Sequence, residues 1–308
     1  MLPYALRRLL ETIPALLAAI LLTFFLMRLA PGAAAEAQLD QRASAETKAA
    51  LEKRLGLDRP WWKQLASYAM LDFGPSLRHP RPAREIVLQR FGNTLKLALA
   101  AMVLAVSVGL AVGILSAVWR GTRTDRILMI VTLAGVSIPV FWLGMILLAG
   151  ASKAGWPWLT GSSRAPYLIL PATALAANSL AYIARMTRAS MLEVLDQDYL
   201  RTARAKGLSE SRVTLRHGLR NALIPIITVV GLDFASYLTG AVLTESVFDY
   251  PGLGRAMVDA IRDRDQPVIL CGVALATFAF VMASAAVDIL CALADPRIRL
   301  ARGGGSGG

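Results

Sequence analysis

The stretch Leu95–Trp119, LKLALAAMVLAVSVGLAVGILSAVW, is apolar from end to end apart from Lys96. A helix needs roughly 20 such residues to cross about 30 Å of hydrocarbon. Lipid offers no partner to a bare peptide N–H or C=O, so a block of this length must close its hydrogen bonds internally, as a helix. Five further blocks read the same way. They run from about Leu9 to Ala30, Ile127 to Ala151, Tyr167 to Ala189, Ala222 to Thr244 and Val268 to Leu293. The predicted fold class is an all-α integral membrane protein with six transmembrane helices. Residues 1–94 form a first helix with a long extracytoplasmic loop, and 95–302 form a five-helix core. The tail 303–308, all Gly and Ser, reads as an artificial linker.

Composition agrees. The chain is 56% hydrophobic and 18% charged, with mean hydropathy +0.52. A soluble domain is about 45–50% apolar and about 25% charged. A soluble globular enzyme, a disordered chain and a disulfide scaffold are thereby excluded. The net charge of +12 belongs to loops beside a membrane rather than to a nucleic-acid surface. Cys271 and Cys291 share one block. On one helix they would lie about 30 Å apart, beyond disulfide reach.

Arg7 and Arg8 precede the first block, and Pro31-Gly32-Ala33-Ala34-Ala35 follows it. This also fits a secretory signal with a small-residue cleavage site. An uncleaved anchor accords better with an even number of spans. Basic residues then mark one side: Arg7 and Arg8; Arg120, Arg123 and Arg126; the cluster from Arg185 to Arg220; and Arg297, Arg299 and Arg302. The positive-inside rule makes that side cytoplasmic, with both termini on it. On the opposite side, a helix over about Ala43–Leu55 and a surface helix over Arg255–Asp265 are expected. Trp61 and Trp62 suit the membrane interface, and Asp249–Gly254 reads as turns.

The cytoplasmic connection 191–221 is too long for a tight turn and rich in helix formers. It reads as two short helices, about Leu192–Lys206 and Ser209–Leu219. They break at Gly207, with Ser209 as N-cap of the second and Pro225 marking the start of span five. Ala203 and Ala205 would permit close approach by a partner. A helix pair standing out of a bundle suits docking, although a plain solvated basic loop is the alternative.

Within that connection, Asp198-Tyr199-Leu200-Arg201-Thr202-Ala203-Arg204-Ala205-Lys206-Gly207-Leu208 and His217-Gly218-Leu219-Arg220-Asn221-Ala222-Leu223-Ile224-Pro225 resemble the coupling loop of ABC importer permeases. The similarity is greatest to the dipeptide/oligopeptide group, in the first (B-type) of its two permease subunits. It extends along nearly the whole chain. Arg28-Leu29-Ala30-Pro31-Gly32, Leu55-Gly56-Leu57-Asp58-Arg59-Pro60, Asp72-Phe73-Gly74-Pro75-Ser76, Tyr250-Pro251-Gly252-Leu253-Gly254 and Asp295-Pro296-Arg297-Ile298-Arg299 occur in the expected order. In the wider importer motif Glu-Ala stands where this chain has Arg201-Thr202, Ile where it has His217, and Pro where it has Arg220. These departures are those of the peptide-type group.

The resemblance implies a type I ABC importer permease in a bacterial cytoplasmic (inner) membrane. It implies a homologous second permease, two ABC ATPase subunits and an extracytoplasmic substrate-binding protein. Coupling to the ATPases would fall on Arg201, Thr202, Ala203, Arg204, Ala205, Lys206, Gly207 and Leu208. ATP and Mg would sit on the ATPase subunits, with no cofactor in this chain. The cargo would be a dipeptide or oligopeptide, with glutathione-like peptides, nickel complexes and haem also carried within the group.

The residues themselves agree with this division of labour. No G-x-x-x-x-G-K-[ST] phosphate loop is present, and no catalytic constellation is visible. His79 and His217 fall on opposite sides of the membrane and cannot share a metal. Pro139 and Pro171 would kink their spans. With Ser137, Asn178, Ser179 and Asp233 they mark where a polar path could run. Asp233 and Asp288 are intramembrane carboxylates and keep a second reading open, that of an ion-coupled secondary transporter. Glu245 is expected at the outer rim, in solvent. Gly109 and Gly113 form a G-x-x-x-G that would allow close helix contact or would be a chance spacing.

Overall fold

The computed structural model describes residues 2–29, 53, 58–156, 159, 165–239 and 241–294. Most of the helix expected over 43–55, the segment 31–35, the basic cluster at 297, 299 and 302, and the tail 303–308 lie outside the described residues. The chain is nearly all helical. The order is α1 (Leu2–Leu29), α2 (Trp61–Ala69), α3 (Ala83–Val118), α4 (Arg123–Ser137), α5 (Val140–Lys153), a 3-10 turn at Ala165–Leu168, and α6 (Ile169–Leu195). Then come α7 (Asp198–Ala205), α8 (Glu210–Leu238), α9 (Val242–Val247), α10 (Leu253–Arg262) and α11 (Gln266–Ala294).

Among the described residues, three helices are long and apolar enough to cross a membrane: Ala83–Val118, Glu210–Leu238 and Gln266–Cys291. The pair α4 and α5 together would make a fourth. That pair is the block expected as one kinked helix. It is bent by 102°, because Pro139 has no N–H and pushes Ile138 out of helical space, to φ −87°, ψ 121°. Pro171, also expected to kink its helix, does not. It lies in the first turn of α6, where the missing N–H has no partner to lose. Pro225 is inside a helix rather than at its start.

Two compact units divide the chain. Unit one comprises Met1–Lys96 and Tyr237–Met282. Its core joins Phe24 of α1, Tyr68 of α2, Phe73, Val87 of α3, Leu253 of α10 and Ile269 of α11. The ring centroids of Phe24 and Tyr68 are 5.7 Å apart, those of Tyr68 and Phe73 5.9 Å. Trp61 and Trp62 are about half exposed, as an interfacial position requires.

Glu245 overturns its expectation. It is fully buried, on the short helix α9 outside the long apolar helices. The hydroxyl of Thr94 donates to its Oε1 at 2.7 Å, and the backbone N–H of Arg255 donates to Oε2 at 2.9 Å. Thr94 in turn accepts from the Leu253 N–H at 2.7 Å. Asn93 donates to the Pro251 carbonyl at 2.9 Å, and Tyr250 returns a bond to the Asn93 carbonyl at 3.0 Å. The run Tyr250–Gly254 is thus a collar around a buried carboxylate. Burial pushes the Glu245 carboxyl up from its ordinary value, against the pull of these donors and of Arg90.

Unit two comprises Leu97–Ser236 and Ala283–Gly308. Its centre is α6, whose buried face is built from Ala172, Ala174, Ala176, Ala181 and Ala184. Small side chains let neighbours come close, and α4 and α5 both pack on α6. The G-x-x-x-G of α3 packs there too. A Cβ at Gly113 would lie 2.5 Å from Thr187 Cβ and 2.6 Å from the Ala184 carbonyl, and one at Gly109 would lie 2.9 Å from Ile183 Cγ2. Gly113→Val therefore has to part α3 from α6, at a cost of about 2 kcal/mol or more. Thermal unfolding in detergent should show a clear loss for Gly113→Val and a smaller one for Gly109→Ala, whose added methyl would meet Ile183 Cγ2 at 2.9 Å and the Leu180 carbonyl at 3.0 Å, less tightly than at Gly113. Both cysteines are free thiols, Cys291 lying 3.3 Å from the Thr228 hydroxyl in unit two.

Candidate functional site

The connection between α6 and α8 folds back on itself. α6 extends to Leu195, so 192–195 belongs to the long helix and the short helix begins only at Asp198. The following helix does not stop at Leu219. It starts at Glu210, widens into a π-type turn over Val213–Gly218 and runs on to Leu238. Ser209 occupies the N-cap position, but its hydroxyl makes no capping bond. It lies 3.4 Å from the Ser211 hydroxyl instead.

Amphipathic spacing explains the fold-back. Leu200 and Ala203, three apart on α7, share one face. With Val213 they are buried in a small core closed by Val194, Leu195 and Leu208. Ala203 is therefore spent on the chain's own packing, whereas Ala205 is exposed. Gly207 makes the turn at φ +80°, the left-handed region that disfavours side chains. A Cβ there would meet nothing within 4 Å, so the requirement comes from the backbone and not from crowding. Arg204 Nε pairs with Glu210 Oε1 at 2.9 Å across the turn, and Arg201 pairs with Asp198 at 3.3 Å. Thr202 bonds back to the Asp198 carbonyl at 3.1 Å. Asn221 donates to the Tyr199 hydroxyl at 2.7 Å, tying α7 to α8. What remains outward is a ridge of Tyr199, Arg201, Thr202, Ala205, Lys206 and Gly207, with Leu215 55% exposed beside it.

Below this ridge lies an ion pair that sequence reasoning passed over. Arg188 of α6 clasps Asp125 with Nε and Nη2 at 2.9 Å each. Ser116 also donates to Asp125, and so does the Gly121 N–H at 2.9 Å. Thr122 caps α4 by accepting from the Asp125 N–H. The legible signal was Thr122-x-x-Asp125, a helix-start signature, together with Arg188 standing one turn beyond Arg185 on a largely apolar helix.

The residues suggested for a polar path are dispersed over unit two. Ser137 ends α4 with its hydroxyl on the Leu133 carbonyl at 3.0 Å, and Pro139 precedes α5. Asn178 is exposed on α6, its neighbour Ser179 is buried, and Asp233 is half-buried on α8. Asp288 is half-buried on α11.

Comparison with known proteins joins these observations. Residues 109–300 match the family described as binding-protein-dependent transport system inner membrane component. The chain is 42% identical over 304 residues to the glutathione transport system permease protein GsiC of Salmonella paratyphi A (strain ATCC 9150 / SARB42), covering 97% of this chain and 99% of that protein. Against GsiC of Escherichia coli (strain K12) the identity is 41% with the same coverage. Two solved structures share the fold. An inward-facing MetNI methionine ABC transporter has TM-score 0.56 at 17% identity, over 68% of this chain and 96% of that one. An amino acid ABC transporter with histidines has TM-score 0.52 at 21% identity, over 69% and 94%. The family assignment displaces the ion-coupled alternative, and with it any need for Asp233 and Asp288 to carry protons. A nearly all-helical chain with several spanning-length helices, matched along its length, belongs to the binding-protein-dependent inner membrane components, the permeases of bacterial ABC importers.

Proposed function

We propose that this chain is the first of two homologous permease subunits in an ATP-driven importer of small peptides, glutathione among them. The substrate reading rests on the name of the relatives that match 97% of the chain. In this reading α1, α3, the bent pair α4–α5, α6, α8 and α11 are the six spans. Both termini and the α7 ridge face the cytoplasm. Residues 1–94 supply the first span and outer loop, and 95–302 supply the transport core. A binding protein delivers substrate from outside. Ser137, Pro139, Asn178, Ser179 and Asp233 contribute to the path. Two ATPase subunits, carrying ATP and Mg²⁺, grip Arg201–Leu208. Their closure biases a two-state bundle toward one access state.

The observation that carries the coupling role is the self-packed helix pair with its outward ridge. A floppy basic loop would have no core of its own and would transmit no motion. Gly207→Val tests it. The strain at φ +80° costs about 1–2 kcal/mol and falls on the turn alone, since the new side chain meets open space within this chain. Uptake of labelled glutathione by cells carrying the complete importer should fall on the order of tenfold or more, with chain level and membrane insertion unchanged. Co-purification of the ATPases should fall with it. Uptake at the wild-type rate would refute the coupling role.

A further inference from the structure

Two cavities among the described residues of unit one share Leu71, Phe73 and Arg84. The first, about 420 Å³, is an apolar groove between α1, α3 and α11, lined by Ile13, Leu17, Leu88, Ala274 and Phe278 with Arg84 at its end. The second, about 650 Å³, is a mixed mouth in which Asp72, His79, Arg81 and Arg84 stand among apolar residues such as Met70 and Pro80. Each lies in the size range of small-molecule sites, about 300–1,000 Å³. Ile13, Leu17, Leu88 and Phe278 are each about half exposed, so the groove opens sideways to whatever surrounds the helices, which in a membrane is acyl chain.

The mouth is a fixed structure. Its loop is a small hairpin, with Ser76 N–H bonded to the Arg81 carbonyl at 3.0 Å and Ala83 N–H to the Gly74 carbonyl at 3.1 Å. Ser76 donates to Asp265, which also accepts from the Leu77 N–H at 3.1 Å. Arg81 and Arg84 thus project from an anchored loop and from the first turn of α3. Neither is paired with a carboxylate among the described residues. The one acid among the described residues of the mouth, Asp72, accepts from the Gly74 N–H at 3.3 Å. Two guanidiniums at the head of an apolar groove, without a carboxylate partner among the described residues, complement a phosphate attached to a hydrocarbon chain.

We propose that this bipartite cavity binds one anionic phospholipid, an acyl chain lying in the groove and the headgroup phosphate held by Arg81 and Arg84. Basic pockets between membrane helices recognise lipid headgroups by this chemistry. The site is independent of the transported substrate and of the α7 ridge.

The test uses the full-length chain in mild detergent, stripped of lipid and then supplied with phosphatidylglycerol, phosphatidylcholine or inorganic phosphate. Native mass spectrometry and thermal unfolding are the readouts. Phosphatidylglycerol should be retained and should raise the unfolding temperature, whereas phosphatidylcholine and inorganic phosphate should not. Arg81→Glu/Arg84→Glu should lower retention on the order of tenfold. Leu17→Trp, which fills the groove from its exposed side, should do the same with the charges intact. Arg81→Lys/Arg84→Lys should keep most of the binding, which separates lost charge from misfolding. Equal retention by wild type and both disrupting variants would overturn the proposal. So would an equal effect of inorganic phosphate, which would make the mouth a soluble-anion site, or a covering protein segment that excludes lipid from the groove.

Discussion

Asp125→Ala should lower the stability of the folded chain by about 3 kcal/mol, read as a large drop in unfolding temperature in detergent. The carboxylate accepts from four donors: both arms of Arg188, the Ser116 hydroxyl and the Gly121 N–H. Removing it strands all four. The effect sits at the low end for a buried pair because the Arg188 side chain keeps 28% of its surface exposed, against 5% for Asp125. Asp125→Asn should recover little, since an amide turns an –NH2 toward groups that themselves donate. Asp125→Ala/Arg188→Ala should lose less than the two single losses added together, because the guanidinium is then no longer stranded. Additive losses, or an unchanged unfolding temperature for Asp125→Ala, would show that the clasp does not hold α4 to α6.

Gly252→Ala should be as severe, for a different reason. Its backbone lies at φ −93°, open to any residue, so no conformational penalty arises. The added methyl would sit 2.2 Å from both Cδ and Oε1 of Glu245, well inside contact distance, and Glu245 is held on its other sides by Thr94 and Arg255. Overpacking of this kind costs about 3 kcal/mol. Glu245→Ala relieves the clash but leaves the Thr94 hydroxyl and the Arg255 N–H without their acceptor, so Gly252→Ala/Glu245→Ala should be only partly rescued. The pH dependence has a fixed sign. A carboxyl whose value is raised in the folded chain supports the fold fully below the ordinary carboxylate range. That support declines as pH rises through the raised value. Glu245→Ala should flatten this part of the stability–pH curve. Wild-type stability in Gly252→Ala would contradict the collar.

Much of the architecture was legible because hydrophobic blocks and breakers act locally. Leu95–Trp119 falls within an observed helix except for its last residue, Val268–Leu293 falls wholly within one, and Pro139 broke its block where its chemistry requires. Gly207 was legible as a turn for the same reason. Polar atoms that meet across the chain were not. Glu245 finds Thr94 at a separation of 151 residues, and Arg188 finds Asp125 at 63. Nothing in one sequence states that two such residues meet. The reach of α6 past residue 192 was also hidden, since Leu192–Leu195 and Asp198–Ala205 have similar helix-forming composition. The break at 196–197 is set by the packing of Leu200 and Ala203 onto Val213. Pro171 shows the converse error, a breaker read without knowing that a helix begins two residues before it.

The little core beneath α7 shares Val194 and Leu195 with a second cluster built on Met191, Ala222 and Leu219. The ridge therefore has no slack hinge at its base. A load pressed onto Tyr199 cannot dissipate in a loop. It must emerge as tilt or rotation of α6, a lever about 40 Å long, or of α8. Both arms of the 102° elbow, α4 and α5, pack on that lever, so a swing of α6 would be felt on either side of the bend.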